Sequence, residues 1–133
     1  MSKSRKKAIR REFRDSVFER DGYKCVICGK QASKENAESL LDAHHITPRE
    51  EMPNGGYVKE NGATLCDPSK TGGSLTEGCH YRAEMVLKKL ALHGEYQMVF
   101  LRGDPDYPYA PVTLYEKTNS SYEKAMRASE SLK

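Results

Sequence analysis

The segment LDAHHITPREEMPNGGYVKENGATLCDPSKTGGSLTEGCH, residues 41–80, decides the fold. It holds the tandem His44-His45 followed by Pro48, then Asn61 and Cys66, and it ends on Cys79-His80. A second cysteine pair stands upstream, in the motif Cys25-Val26-Ile27-Cys28-Gly29. Two pairs of cysteines interleaved with histidines and an asparagine indicate two metal sites, one that holds the fold together and one that does chemistry.

Length and composition predict one small domain whose hydrophobic core needs additional stabilisation. The chain has 133 residues, of which 37% are hydrophobic and 31% charged, and its mean hydropathy is −0.80. A core this thin is usually supplemented by a structural metal. The sequence shows no apolar run of membrane-spanning length and no apolar signal-peptide core, so we expect a cytoplasmic protein with no membrane partner. In that reducing compartment, cysteines serve as metal ligands or free thiols more often than as disulfides.

The basic residues are concentrated at the amino terminus. Residues 1–14 hold seven basic side chains against one acidic residue, in a chain of net charge +3, so the remainder is mildly acidic. Such an arm favours binding to a phosphate backbone, because Lys and Arg displace condensed counterions from nucleic acid. A solvated tail explains the charge equally well. The candidate nucleic-acid-binding residues are Lys3, Arg5, Lys6, Lys7, Arg10 and Arg11.

Hydrophobic periodicity predicts an α+β domain. Ile9, Phe13 and Val17 recur at helical spacing, and Asp21-Gly22 ends that helix. A strand–loop–strand–helix unit follows, and further strands and a terminal helix come after it. The predicted elements after the first helix are strands at 40–46 and 62–66, a helix from His80 that stops at His93-Gly94, strands at 95–101 and 112–115, and a helix at 120–132.

The four cysteines predict a structural zinc site. Cys25 and Cys28 have the spacing of a zinc knuckle, whereas twelve residues separate Cys66 from Cys79. If residues 67–78 form an exposed insertion that loops out, all four thiols converge. The alternative is that Cys66 is an ordinary buried thiol and no zinc binds.

Taken together, Cys-x-x-Cys, His-His-Ile-x-Pro, Asn with a cysteine five positions later, and Cys-His resemble the HNH endonucleases of ββα-metal fold. The resemblance covers roughly residues 14–85. It implies that the four cysteines hold the structural zinc, that His45 is the general base, and that His44 and His80 bind a catalytic divalent metal. It also implies that Asn61 orients the His45 ring.

Two departures from the family pattern affect the metal sites. The cysteines of the second pair are further apart than in the family, and His44 stands where many members have aspartate. We expect Mg or Mn at the catalytic site, with Ni or Zn as competitors, because paired imidazoles make a softer ligand set. Glu84 lies one helical turn after His80; a solvated helix glutamate is the favoured interpretation over a third ligand.

The resulting hypothesis is a zinc-stapled HNH endonuclease that nicks DNA or cleaves it with low specificity. In this hypothesis the chain divides into a basic arm with the start of the first helix (residues 1–13), a nuclease core (14–93) and an extension packed on that core (94–133). The alternatives are a non-catalytic zinc-bearing nucleic-acid-binding module and an adaptor of a larger DNA-processing complex. The biological role, cut-site sequence, preference for DNA over RNA, catalytic metal, targeting partner and oligomeric state stay open.

Overall fold

A computed structural model describes residues 2–84, 96–100, 112–116 and 120–132. In these residues the predicted mixture of helices and small antiparallel sheets is confirmed. The elements are α1 (Lys3–Arg20), α2 (Ala37–Leu40), β1 (Leu41–His45), β2 (Gly62–Cys66), α3 (Cys79–Arg82), β3 (Tyr96–Phe100), β4 (Val112–Glu116) and α4 (Ser120–Glu130). Among the helices of these ranges, none has the length and apolarity needed to cross a bilayer.

Helix α1 begins at Lys3, six residues before Ile9, its first buried residue. The Ser2 side chain accepts a hydrogen bond from the Arg5 backbone N–H at 3.1 Å, which caps the helix. Its buried face consists of Ile9, Phe13, Val17 and Phe18, each of which stabilises the fold by roughly 1.5–3 kcal/mol on burial. The helix ends where Gly22 and Tyr23 both take positive φ angles. The basic arm is therefore helical, and it continues the predicted helix.

Strands β1 and β2 form an antiparallel hairpin in which Leu41 pairs with Cys66 and His45 pairs with Gly62. Every residue of β2 is buried: α1 packs against Gly62 and Thr64, α3 also packs on the strand, and the Val26 N–H of the cysteine turn donates to the Thr64 carbonyl oxygen at 3.0 Å. Gly62 is required at its position: a Cβ there would lie 2.3 Å from Val17 Cγ2. The predicted hairpin is confirmed.

A pair of charged side chains fixes α1 on the hairpin. Arg20 donates to the carbonyl oxygen of Gly62 at 2.7 Å and to that of Lys59. Asp21, whose side chain is 1% exposed, accepts from the Thr64 N–H at 2.9 Å and pairs with Arg20. These contacts set the orientation of the helix against β2.

The loop and insertion are built from short 3-10 turns. The loop between β1 and β2 contains turns at Arg49–Glu51, Pro53–Gly56 and Lys59–Asn61, and the insertion after Cys66 contains Pro68–Thr71 and Leu75–Glu77. Residues 71–77 are exposed, as predicted. Lys70 nevertheless ties the insertion to the hairpin, donating to the Leu41 carbonyl oxygen at 2.9 Å.

The carboxyl-terminal additions include both predicted strands and the predicted helix. Strands β3 and β4 pair with each other antiparallel, and α4 packs beside the β1–β2 loop. Ser129 of α4 accepts a hydrogen bond from the Asn54 side-chain amide at 3.0 Å through its carbonyl oxygen. Helix α3 runs from Cys79 to Arg82 and is followed by Ala83 and Glu84, and the predicted continuation beyond Glu84 and its stop at His93-Gly94 lie outside the described residues.

Candidate functional site

The four cysteines converge on one point. Their sulfur atoms all lie within 4.8 Å of one another, and 3.6 Å separates the Sγ atoms of Cys28 and Cys66. Sulfur atoms about 2.3 Å from a tetrahedral zinc ion lie about 3.8 Å apart, so the cluster is compatible with zinc. All four are free thiols, and the insertion loops out between Cys66 and Cys79 as the sequence requires.

Hydrogen bonds within the cluster shift the pKa values of Cys25, Cys66 and Cys79 in different directions. Hydrogen bonds from the Cys25 and Cys79 thiols lower the pKa of Cys66 far below its ordinary value. The hydrogen bond with Cys66 raises the pKa of Cys25 to about 12, and the bonds with Cys25 and Cys66 raise the pKa of Cys79. These hydrogen bonds thus favour the thiolate of Cys66 over those of Cys25 and Cys79, and a bound cation would favour the thiolate form of all four cysteines.

A second donor group forms on the other side of β1. Nδ1 of His44 lies 3.1 Å from Oε1 of Glu84, and Nε2 of His80 lies 3.4 Å from the same oxygen. The donor atoms of these three residues lie within 4.8 Å of one another. His44 is 2% exposed and Glu84 is partly exposed, so the group sits at the edge of the core with one side open. Two imidazoles and a carboxylate are a ligand set that suits a divalent metal.

Glu84 therefore departs from the favoured sequence-based interpretation. The pattern alone favoured a solvated glutamate, but the carboxylate contacts both histidines. The reason is the turn of helix that starts at Cys79: residues four apart on a helix share a face, so Glu84 and His80 point at the same partner.

The His80 ring is also held from its far side. Its Nδ1 lies 2.7 Å from Oδ2 of Asp42, and Oδ1 of Asp42 lies 2.5 Å from the ammonium of Lys70. Burial lowers the pKa of His80, but the hydrogen bonds to Asp42 and Glu84 outweigh it and raise that pKa to about 9. Burial likewise raises the pKa of Asp42, and the hydrogen bonds from His80 and Lys70 overcome it and hold that pKa well below its usual range.

His45 occupies the opposite face of β1, between two aromatic rings. It stacks on Phe13 with 4.5 Å between ring centroids, and it lies nearly perpendicular to the Tyr57 ring with 4.7 Å between centroids. Its Nε2 is buried and has no hydrogen-bond partner among the described residues. Burial, followed by the positive charges of His44 and Arg49, lowers the pKa of His45 to about 4. The imidazole is therefore neutral near pH 7 and able to accept a proton.

Asn61 is buried and bonds to the backbone of the loop that follows His45. Its Oδ1 accepts from the Thr47 N–H at 2.9 Å, and its amide nitrogen donates to the carbonyl oxygens of Thr47 at 3.0 Å and Gly56 at 3.2 Å. The resemblance implied that Asn61 orients the His45 ring. The hydrogen bonds found for Asn61 instead fix the backbone two residues beyond His45, and its orienting role stays a prediction.

The six basic candidates all lie on exposed positions of α1. Arg10 stacks over the Tyr57 ring, with 5.6 Å from its Cζ to the ring centroid, and Lys6 and Arg10 line a groove with Tyr57. Arg49 donates to the Tyr57 hydroxyl at 2.8 Å. Positive charge therefore extends from α1 to the neighbourhood of His45.

Sequence reasoning missed Asp42, Lys70, Arg49 and Tyr57. Asp42 had a usable signal, because residues two apart on a strand share a face and Asp42 precedes His44 by two. Lys70 had none, since it lies in an insertion whose path only the tertiary structure fixes. Tyr57 and Arg49 lie in a loop whose residues carry no periodicity.

Comparison with known proteins agrees with this geometry. The family model of the HNH endonucleases matches residues 25–68, which include the first three cysteines, His44, His45 and Asn61. No curated protein and no solved structure matches the chain. The predicted resemblance is confirmed for this segment, and it indicates nuclease activity in general and a nucleic-acid substrate. The roles of the individual site residues stay predictions.

Proposed function

We propose, on the premise that residues 25–68 carry the pattern of the HNH endonucleases, that this protein is a metal-dependent endonuclease that hydrolyses DNA phosphodiester bonds. One observation carries the proposal. His44, His80 and Glu84 bring three metal-binding atoms within 4.8 Å, although only His44 lies in the matched segment. A fold kept only for binding nucleic acid has no need of that convergence.

The two donor groups take different metals. The four thiolates suit zinc, which would tie the turn after α1 to the end of β2 and the start of α3. Nδ1 of His44, Nε2 of His80 and a Glu84 oxygen would hold the catalytic cation, with Mg or Mn expected and Ni or Zn as competitors. A divalent cation bound there supplies Lewis acidity toward the phosphate and the leaving oxygen.

His45 is the proposed general base. A water oxygen attacks phosphorus in line with the leaving oxygen, His45 takes the proton of that water, and the bond from phosphorus to the leaving oxygen breaks. The leaving oxygen regains a proton from solvent. Because Nε2 of His45 is buried, we assign the proton transfer to Nδ1. The aromatic contacts with Phe13 and Tyr57 hold the ring in one orientation.

The groove beside Tyr57 is the proposed path of the DNA backbone. Lys6, Arg10 and Arg49 surround Tyr57, whose ring packs perpendicular to that of His45. Cations in this position bind phosphate oxygens without reading sequence. The other basic candidates on α1, which are Lys3, Arg5, Lys7 and Arg11, add backbone affinity. A monomer offers one such site and would cut one strand per encounter, so we expect nicks first.

A plasmid assay tests the proposal. Zinc-loaded protein stripped of other divalent ions is incubated with supercoiled DNA, and Mg, Mn, Ni or Zn is added back. We expect metal-dependent conversion to nicked circles, and a loss of about 10²- to 10⁴-fold in rate for His45→Ala, as for removal of a general base. The control is Lys34→Ala, which changes an exposed lysine that belongs to neither metal group and should leave the rate unchanged.

Two outcomes contradict the proposal. Equal cleavage by His45→Ala removes His45 as the base. No cleavage with any metal, while zinc content and DNA binding are intact, favours the non-catalytic binding module. Loss of nicking in the control variant would show that the assay reports folding rather than chemistry.

A further inference from the structure

Lys70 lies in the insertion between Cys66 and Cys79, and all three N–H donors of its ammonium group have partners. Nζ of Lys70 donates to the carbonyl oxygens of Glu38 at 3.0 Å and Leu41 at 2.9 Å, and it lies 2.5 Å from Oδ1 of Asp42. An ammonium group has three donors, and these partners use all of them. Lys70 is therefore held in place rather than free to contact a phosphate.

Lys70 is delivered by a turn that is itself anchored next to a cysteine of the cluster. Asp67 follows Cys66 directly, and its carboxylate accepts from the Ser69 N–H at 3.1 Å and from the Ser69 hydroxyl at 2.5 Å. Gly72 ends the turn with a φ of 87°, a conformation that favours glycine. The position of the ammonium is thus determined by the cluster and by the cap of this turn.

Asp42 links Lys70 to His80, a histidine of the second donor group, because its carboxylate contacts both. One of its oxygens meets Lys70, and the other accepts from Nδ1 of His80 at 2.7 Å. The carboxylate is 20% exposed, so water competes weakly for it. A ring whose Nδ1–H is bonded in this way presents Nε2 on its opposite side, and Nε2 is the atom that faces Glu84.

We propose that Asp42 and Lys70 are positioning residues that lock the His80 ring with Nε2 turned toward His44 and Glu84, and that the insertion serves to place Lys70 for this purpose. The inference rests on the proposed cation site. Lys70 neutralises the charge of Asp42 and prevents the carboxylate from rotating, and Asp42 in turn prevents the ring from flipping. The insertion therefore acts on the cation site through Asp42 and His80, and it does not contact the substrate.

Calorimetric titration of zinc-loaded full-length protein with Mn²⁺, without DNA, tests the effect on affinity. Because hydrogen-bond partners of metal ligands typically contribute about 10- to 100-fold in affinity, Asp42→Asn should weaken Mn²⁺ binding by about that factor. Lys70→Met, which keeps length and loses charge, should weaken it less. The double variant should bind no more weakly than Asp42→Asn alone, because Lys70 acts through Asp42. Lys70→Arg should restore part of the loss, and Lys34→Met is the matched control.

Nuclear magnetic resonance gives a second readout that needs no catalytic cation. In zinc-loaded protein, the Nδ1–H of His80 should appear as a slowly exchanging proton, and it should exchange faster in Asp42→Asn and Lys70→Met but not in Lys34→Met. Zinc content measured in the same samples reports whether the cysteine cluster is intact.

The two readouts separate the failure of this inference from that of the proposed function. An unchanged Nδ1–H signal in both variants, or losses of affinity that add in the double variant, would overturn the positioning role. If the parent protein neither binds Mn²⁺ nor cleaves DNA, the proposed nuclease fails. The exchange of the His80 proton then still decides whether Asp42 and Lys70 hold the ring.

Discussion

His44 and Glu84 meet across the ββα unit, with 3.1 Å between Nδ1 of the histidine and Oε1 of the glutamate. One comes from the end of β1 and the other from the residues that follow α3. Nothing in their sequence separation requires the contact. It exists because the cysteine cluster fixes where α3 starts, and His80 and Glu84 then turn toward β1 on one helical face.

Glu84→Ala should weaken binding of the catalytic cation. Removal of the carboxylate leaves the two imidazoles as the remaining ligands of the group, so we expect Mn²⁺ affinity to fall by at least about 10-fold, the lower end of what even outer-shell partners contribute. Titration calorimetry on zinc-loaded protein measures it. Glu77→Ala, which removes an exposed carboxylate from the insertion, should leave the affinity unchanged. If Glu84→Ala binds Mn²⁺ as tightly as the parent protein, Glu84 is not a ligand and the solvated-glutamate interpretation holds.

Cys28→Ser should release zinc and unfold the domain. Cys28 lies 3.6 Å from Cys66, and removal of one of four thiolates takes away folding free energy that metal binding supplies directly. Elemental analysis should find about one zinc per parent chain, bound by the four thiolates, and much less in the variant. Ile27→Val, in the same turn, should keep its zinc. A stable, zinc-free Cys28→Ser protein would show that the cluster is not a structural site.

Asp21→Asn should destabilise the fold by about 2 kcal/mol or more, because it leaves the Arg20 guanidinium without its buried counter-charge. The matched control is Asp15→Asn: both carboxylates pair with the preceding arginine at 3.0 Å, but the Asp15 side chain is 59% exposed. An exposed pair contributes about 0–1 kcal/mol. Urea unfolding of the zinc-loaded proteins measures the difference, and equal losses would show that burial of Asp21 does not matter.

Asn61→Asp should loosen the loop after His45. The variant keeps the acceptor for the Thr47 N–H, but it replaces the donor to the Thr47 and Gly56 carbonyl oxygens with a second acceptor. We expect a loss of about 1–3 kcal/mol in stability and a lower nicking rate. Asn36→Asp is the control, since exposed Asn36 uses its Oδ1 toward the Ser33 N–H and the variant retains that atom. Unchanged stability in Asn61→Asp would argue against the loop-holding role.

Gly62→Ala tests how tightly α1 covers the hairpin. The added Cβ would lie 2.3 Å from Val17 and 2.9 Å from Phe13, the residue that stacks on His45. Overpacking of this kind costs about 1–3 kcal/mol. Gly72→Ala is the comparison, because its φ of 87° strains an alanine while the added carbon meets nothing within 4 Å. A smaller loss at Gly62 than at Gly72 would show that α1 moves away readily.

Local patterns were enough for the elements. The spacing of Ile9, Phe13 and Val17 predicts α1, and the strand boundaries at Gly62 and Cys66 are those found. The cysteine spacing predicts the metal cluster, because a thiolate cluster has few alternative uses in such a chain. These features depend on residues close in sequence, or on ligand chemistry that a motif records.

The sequence by itself determined the hairpin and the cysteine cluster, and it predicted His44, His45 and His80 as site residues. Only the tertiary structure decided that Glu84 contacts His44 and His80. It also decided that Asp42 contacts both His80 and Lys70, and that Asn61 bonds to the loop backbone. The physical reason is that these contacts join segments whose relative path is set by the packing of α1 and by closure of the cysteine cluster. A pattern read along the chain contains residue types and spacings, but not the direction in which an insertion folds back.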